Sequence, residues 1–251
     1  MQSRHNKATI ISIAVLSMGL AALLHEGLGH GVTAWLRGDA VTQLTSNHLS
    51  DNESDRFVEA GGTIINLFTG AIALIGSFRA RSNLRYFLCL FGAVSLLDGS
   101  GYFLFSGVIG VGDWANVIEG LPHHAAVRTV MAIFGLVFYY ICVRFIAIAL
   151  RPFMVARSEY NTVGRLPYVA ACIFYCIAGA LDPLGVKLLF LSTIPAAFGG
   201  LSGLLWADAL MPKAVPAVPL TVEPAPIWWW TAAVFGVAFV VILGRGINFS
   251  H

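Results

Sequence analysis

Two histidines and a glutamate fall together in the stretch His25-Glu26-Gly27-Leu28-Gly29-His30, inside an apolar run from Ala8 to about Leu36. Ionisable groups in a helix of hydrocarbon length are costly to bury and mark function by default. The chemistry these types suit is metal-assisted hydrolysis. Zinc is held by imidazole nitrogens and carboxylate oxygens, and a catalytic site keeps three protein ligands and one open position. In the usual helical arrangement the histidines are four apart, and a glutamate beside the first acts as general base toward metal-bound water. Here they are five apart. On an α-helix five steps turn by about 500°, which leaves the rings roughly 140° apart. Two arrangements restore a site. A single π-turn would return His25 and His30 to one face, and Gly27 and Gly29 make the backbone permissive there. Alternatively Glu26 and His30, four apart, form the ligand pair and His25 stands outside it.

Asp98, in Leu97-Asp98-Gly99 midway along a later apolar run, is the candidate third ligand. The run between holds Gly61-Gly62 and Asn66. Small residues let helices approach closely, and Asn66 could bond a substrate backbone or brace the site. Plainer readings are helix packing for the glycines and a hydrogen-bonded carboxylate at a helix break for Asp98. His48, His123 and His124 read as loop residues. Cys89, Cys142, Cys172 and Cys176 all lie in apolar runs and read as packing residues, with no disulfide framework.

The elements that must position these groups are membrane spans. Of 251 residues, 57% are hydrophobic and only 11% charged, against about 25% charged in a soluble domain. Mean hydropathy is +0.78. The fold class is therefore an all-α polytopic transmembrane bundle of six or seven spans, a single domain over 1–251. Its site helices occupy about 8–107 and its accessory helices about 128–244. Runs near 8–36, 57–78, 86–107 and 128–150 read as four spans. Arg144 sits near the end of the fourth, where it can snorkel. The stretch 168–206, broken at Asp182-Pro183-Leu184-Gly185, reads as two more spans, with a re-entrant hairpin as the alternative. A last run, 227–244, opens with Trp228-Trp229-Trp230, which suits an interfacial belt. The net charge of +2 is too small to suggest a nucleic-acid partner.

Arg4 and Lys7 before the first run resemble a signal peptide, but the expectation is an uncleaved first span. If spans alternate, Arg4, Lys7, Arg79, Arg81, Arg85, Arg151, Arg157 and Arg165 share one side. The opposite loops carry mainly acids, among them Asp51, Glu53 and Asp55. The positive-inside rule then gives a cytoplasmic N-terminus, in the simplest case in a bacterial inner membrane.

Together, His25-Glu26…His30, Gly61-Gly62…Asn66 and Leu97-Asp98-Gly99 resemble, in that order, the site-2 protease family of intramembrane zinc metalloproteases. The resemblance covers roughly residues 10–125. Gly112-Asp113-Trp114-Ala115-Asn116 also resembles the segment after the Asp motif in some branches. The resemblance implies zinc as cofactor, Glu26 as general base, and His25, His30 and Asp98 as ligands. Gly61, Gly62 and Asn66 would be substrate-binding, and a transmembrane protein or peptide would be the substrate. It favours the π-turn arrangement. The departure is the extra residue between Glu26 and His30. The alternative reading is a non-catalytic binding or assembly protein of the same fold. A di-iron oxidase needs more histidines than the seven present. A transporter with a helix broken at Asp182, where Lys187 could pair, would be expected to show an internal repeat, and none is legible.

Overall fold

The structure is a computed structural model that describes residues 4–52, 55–214 and 216–249. Glu53, counted above among the loop acids, lies outside the described residues. Among the described residues seven helices are long and apolar enough to cross a membrane. They are α1 (Lys7–Arg37), α2 (Arg56–Ser77), α3 (Ser82–Ile109), and, after a short helix α4 (Asp113–Val117), α5 (His124–Phe153), α6 (Arg157–Gly179), α7 (Val186–Leu210) and α8 (Pro226–Leu243). The architecture is the expected all-α membrane bundle with one addition. Among the described residues three short strands, β1 (Val41–Leu44), β2 (Leu49–Asp51) and β3 (Ile247–Asn248), form an antiparallel sheet in the order β2-β1-β3.

Local chemistry sets the helix ends. Asn6 caps α1, its Oδ1 accepting from Thr9 N–H at 2.9 Å. Asp55 caps α2 through the Phe57 N–H at 2.7 Å. The stretch 168–206 divides into two helices of 23 and 25 residues, α6 and α7. In the turn between them Asp182 Oδ1 accepts from Leu184 N–H at 2.9 Å. Asp182 also meets His48 Nδ1 and Asn47 Nδ2, each at 3.4 Å, so it faces the loop after α1.

The count of seven agrees with how the ends of the bundle join. Trp229, in the first turn of α8, donates its Nε1–H to Thr9 Oγ1 at the start of α1, 2.9 Å away. Glu223 N–H donates to Asn83 Oδ1 at the start of α3, also at 2.9 Å. At its other end α8 runs into β3, which pairs with β1 just after α1. Helix α8 thus starts where α1 starts and finishes where α1 finishes, which fits an odd number of crossings.

Lipid gives helices no hydrophobic reason to associate, so close packing must hold them. Glycines provide it. A Cβ on Gly107 of α3 would lie 2.7 Å from the backbone nitrogen of Ala132 on α5, and one on Gly70 of α2 would lie 2.9 Å from Ser95 Cβ on α3. One buried cluster runs from Ile10 to Leu243, while Ile133, Leu136, Val234 and Val237 point outward, as lipid-facing side chains should. The cysteines are free and packed, Cys172 Sγ 3.3 Å from the Ala197 carbonyl. Some charges near the helix ends are partnered. Arg157 and Arg165 meet Asp208 at 3.2 and 3.3 Å, and Arg144 donates to the Leu210 carbonyl rather than reaching out alone.

Candidate metal centre

The segment Leu24–Val32 within α1 is a π-helix. Its wider turn brings the His25 and His30 rings to a centroid separation of 4.8 Å at 72°. Of the two arrangements open to the sequence, this is the one the chain adopts. Three glycines make it possible by letting α1 and α2 touch backbone to backbone. A Cβ on Gly29 would lie 2.7 Å from Gly62 N and 2.8 Å from Gly61 C. A Cβ on Gly62 would fall onto His25 Nε2 and lie 2.5 Å from His30 Nε2. Of the two glycines expected at a substrate, Gly62 lies against the two imidazoles, while Gly61 packs on the Gly29 backbone and Thr33 Oγ1 of α1.

Each imidazole has one nitrogen engaged by a bracing group. His30 Nδ1 donates to the Val58 carbonyl on α2 at 2.7 Å. A carbonyl only accepts, so neutral His30 carries its proton on Nδ1 and its lone pair on Nε2. His25 Nδ1 lies 3.3 Å from Asn66 Nδ2 and 3.6 Å from Asp98 Oδ2. Asn66 Nδ2 also donates to Asp98 Oδ2 at 2.8 Å. Tyr102 stacks on the His25 ring at 5.1 Å. Asp98, expected as the third ligand, and Asn66, expected at a substrate, therefore both lie at the Nδ1 edge of His25, away from His30. That is where outer-shell partners orient a metal-binding histidine.

The group facing both Nε2 atoms is Asp113, which had no role in the sequence reading. Its Oδ2 is 3.1 Å from His25 Nε2 and 3.5 Å from His30 Nε2. Asp113 opens α4, in the loop beyond α3. Burial alone would raise its carboxyl, but the His30 and His25 imidazoles outweigh that and hold it well below the usual carboxylate range. The only sequence signal was its place in the Gly112–Asn116 segment.

Glu26 stands beside this group. One ligand atom each from His25, Glu26 and His30 lies within 4.8 Å of the others. Glu26 Oε2 is buried, has no hydrogen-bond partner among the described residues, and sits 4.0 Å from His30 Nε2. An unpartnered buried carboxylate oxygen is costly, and a cation or an ion-bound water in front of it would satisfy it. The donor set of two imidazoles with carboxylates suits a divalent transition metal. The centre opens into a cavity of about 780 Å³ lined by Glu26, His30, Tyr102, Phe105, Tyr139 and Leu191 among others. Leu49 and Asp51 of β2 also line it. His123 and His124 do not line this cavity. Comparison with protein-family models, with curated proteins and with solved structures gives no match to this chain.

Proposed function

We propose that the chain is an intramembrane zinc metalloprotease, hydrolysing a peptide bond in a membrane-embedded or membrane-adjacent substrate. The observation that carries this reading is the π-turn. It turns an apparently broken histidine spacing into two imidazoles on one face, with Glu26 Oε2 beside them and free of hydrogen bonds among the described residues. His25 and His30 would hold the ion through Nε2. Zinc bound there would supply a water acidic enough to attack near neutral pH and would polarise the scissile carbonyl. Glu26 would be the general base, its Oε2 holding a proton beside the two imidazoles and releasing it to the leaving amine. Val58 and the Asp98–Asn66 pair keep the two rings turned toward the site.

The surroundings suit a peptide. A helical segment has its carbonyls bonded within the helix and must unwind to be cut. The cavity beside Glu26 has an apolar wall, which would receive apolar side chains. Among the described residues strand β2, in the same wall, pairs with β1 alone, which would leave its other edge to an extended backbone. The basic residues Arg79, Arg81, Arg151 and Arg157 sit at the end where α1 begins. By the positive-inside rule that end is cytoplasmic, and the metal centre then opens toward the opposite side.

The test is cleavage by detergent-purified protein with zinc, using a panel of single-span peptides with products read by mass spectrometry. The reading predicts cut peptides with wild type and none with Glu26→Gln. Identical products from both would refute it. A zinc-loaded chain that cuts nothing would leave the binding or assembly role.

A further inference from the structure

We propose that Asp113 is the third metal ligand of this centre, and that Asp98 acts through His25 as a positioning carboxylate. This rests on the metal reading above and goes beyond the ligand set that the sequence resemblance implies.

The geometry makes the distinction. With zinc–ligand bonds of about 2.0–2.1 Å, adjacent ligand atoms of a tetrahedral site are about 3.3 Å apart. Asp113 Oδ2 is 3.1 and 3.5 Å from the two Nε2 atoms, bracketing that edge. Asp98 Oδ2 approaches His25 from Nδ1, at 3.6 Å. The two nitrogens of an imidazole point away from each other, so an ion on His25 Nε2 lies on the far side of the ring from Asp98. Its bond from Asn66, 2.8 Å, further commits Asp98 to the bracing role. With zinc on Nε2 the His25 Nδ1 would carry the proton, and Asp98 Oδ2, 3.6 Å away, is the acceptor on that side, since Asn66 Nδ2 only donates.

The fold also holds Asp113 in place from both sides. Gly110 and Gly112, with φ of +78° and +89°, turn the chain back over the end of α3. Few other residues adopt such values without strain. Trp114 packs on Phe103 of α3 with ring centroids 4.3 Å apart. Asn116 donates to Glu59 Oε2 at 3.1 Å, and Arg56 donates to the Glu119 carbonyl at 2.5 Å, tying the segment to the start of α2. The third ligand would thus come from a loop beyond the membrane spans, clamped to α2 and α3.

The experiment uses the full chain in detergent with zinc and cobalt(II) as probes. Zinc affinity is measured for wild type, Asp113→Asn and Asp98→Asn, with each variant's thermal midpoint as the folding control. Asp98→Asn should weaken zinc by the about 10–100-fold typical of an outer-shell partner, and Asp113→Asn by more. A direct readout of coordination comes from Asp113→Cys and Asp98→Cys loaded with cobalt(II). A thiolate bound to cobalt gives a near-ultraviolet charge-transfer band, and wild type controls for the native cysteines. The band should appear with Asp113→Cys and not with Asp98→Cys. The reverse pattern, or wild-type zinc affinity in Asp113→Asn, overturns the assignment while leaving a metal site in place. Wild type that takes up neither metal overturns both readings.

Discussion

Gly62→Ala is the smallest change that should disable the centre. The added methyl would fall on His25 Nε2 and lie 2.5 Å from His30 Nε2. A relaxed carbon–nitrogen contact needs about 3.5 Å, so something must move by about 1 Å. Helix α2 cannot easily retreat. Gly70 is packed on Ser95 and Leu96 of α3, and Asn66 is bonded to Asp98. The imidazoles must therefore swing, at the expense of the 2.7 Å bond from His30 Nδ1 to Val58. Overpacking of this kind destabilises by about 1–3 kcal/mol, and a misplacement of about 1 Å at a reacting centre costs about a hundredfold in rate. Gly27→Ala is the matched control, because its Cβ would meet only Leu23 Cδ1 at 3.7 Å. Zinc titration of the two purified variants, with thermal melts alongside, checks this. Gly62→Ala should bind zinc far more weakly while Gly27→Ala binds as wild type does. A folded Gly62→Ala chain with wild-type affinity would refute the reasoning, since the two Nε2 atoms would then not converge beneath that glycine.

The same geometry sets further expectations. Glu26→Gln should retain zinc, measured by elemental analysis, while losing about 10²–10⁴-fold in cleavage rate, the usual contribution of a general base. Zinc at about a hundred times its dissociation constant should stabilise wild type by about 2.7 kcal/mol, seen as a raised melting midpoint that a chelator reverses. His30→Ala should not respond. Burial would raise the Asp182 carboxyl, but His48, the Leu184 N–H and Thr45 outweigh it and hold the group below its ordinary range. A depressed carboxyl contributes stability above its unfolded pKa and loses it as pH falls through its folded one. Asp182→Asn should therefore melt below wild type at neutral pH, and the two curves should converge in acid. Converging curves at neutral pH instead would show that these contacts stabilise nothing. Single cysteines placed at Arg79 and at Glu119 in intact cells should label from opposite sides, with the Glu119 position reached from outside.

What was legible in the sequence was whatever carried an energetic penalty in lipid. His25, Glu26, His30 and Asp98 stood out because charge in an apolar run demands a partner, and the structure gathers all four. The π-turn could be anticipated from a one-residue excess in spacing flanked by glycines. Run lengths and the break at Asp182-Pro183 gave six or seven spans, and the structure has seven candidate spans among its described residues. Asp113 had only its place in the Gly112–Asn116 segment to mark it, because its return to the site depends on two left-handed glycines and on Trp114 finding Phe103. The edge of His25 that Asp98 faces was likewise a tertiary matter, set by the bond from Asn66. The small sheet left no signal, since strands of two to four residues carry no readable alternation.

The most direct test of the metalloprotease account is the zinc content of the chain, purified without chelator and measured by elemental mass spectrometry beside His25→Ala and His30→Ala. The account predicts about one zinc per wild-type chain, as a mononuclear site requires, and loss of that zinc in both variants. Wild type that is metal-free and takes up no added zinc would contradict it, because the π-turn would then bring the two imidazoles together for packing alone.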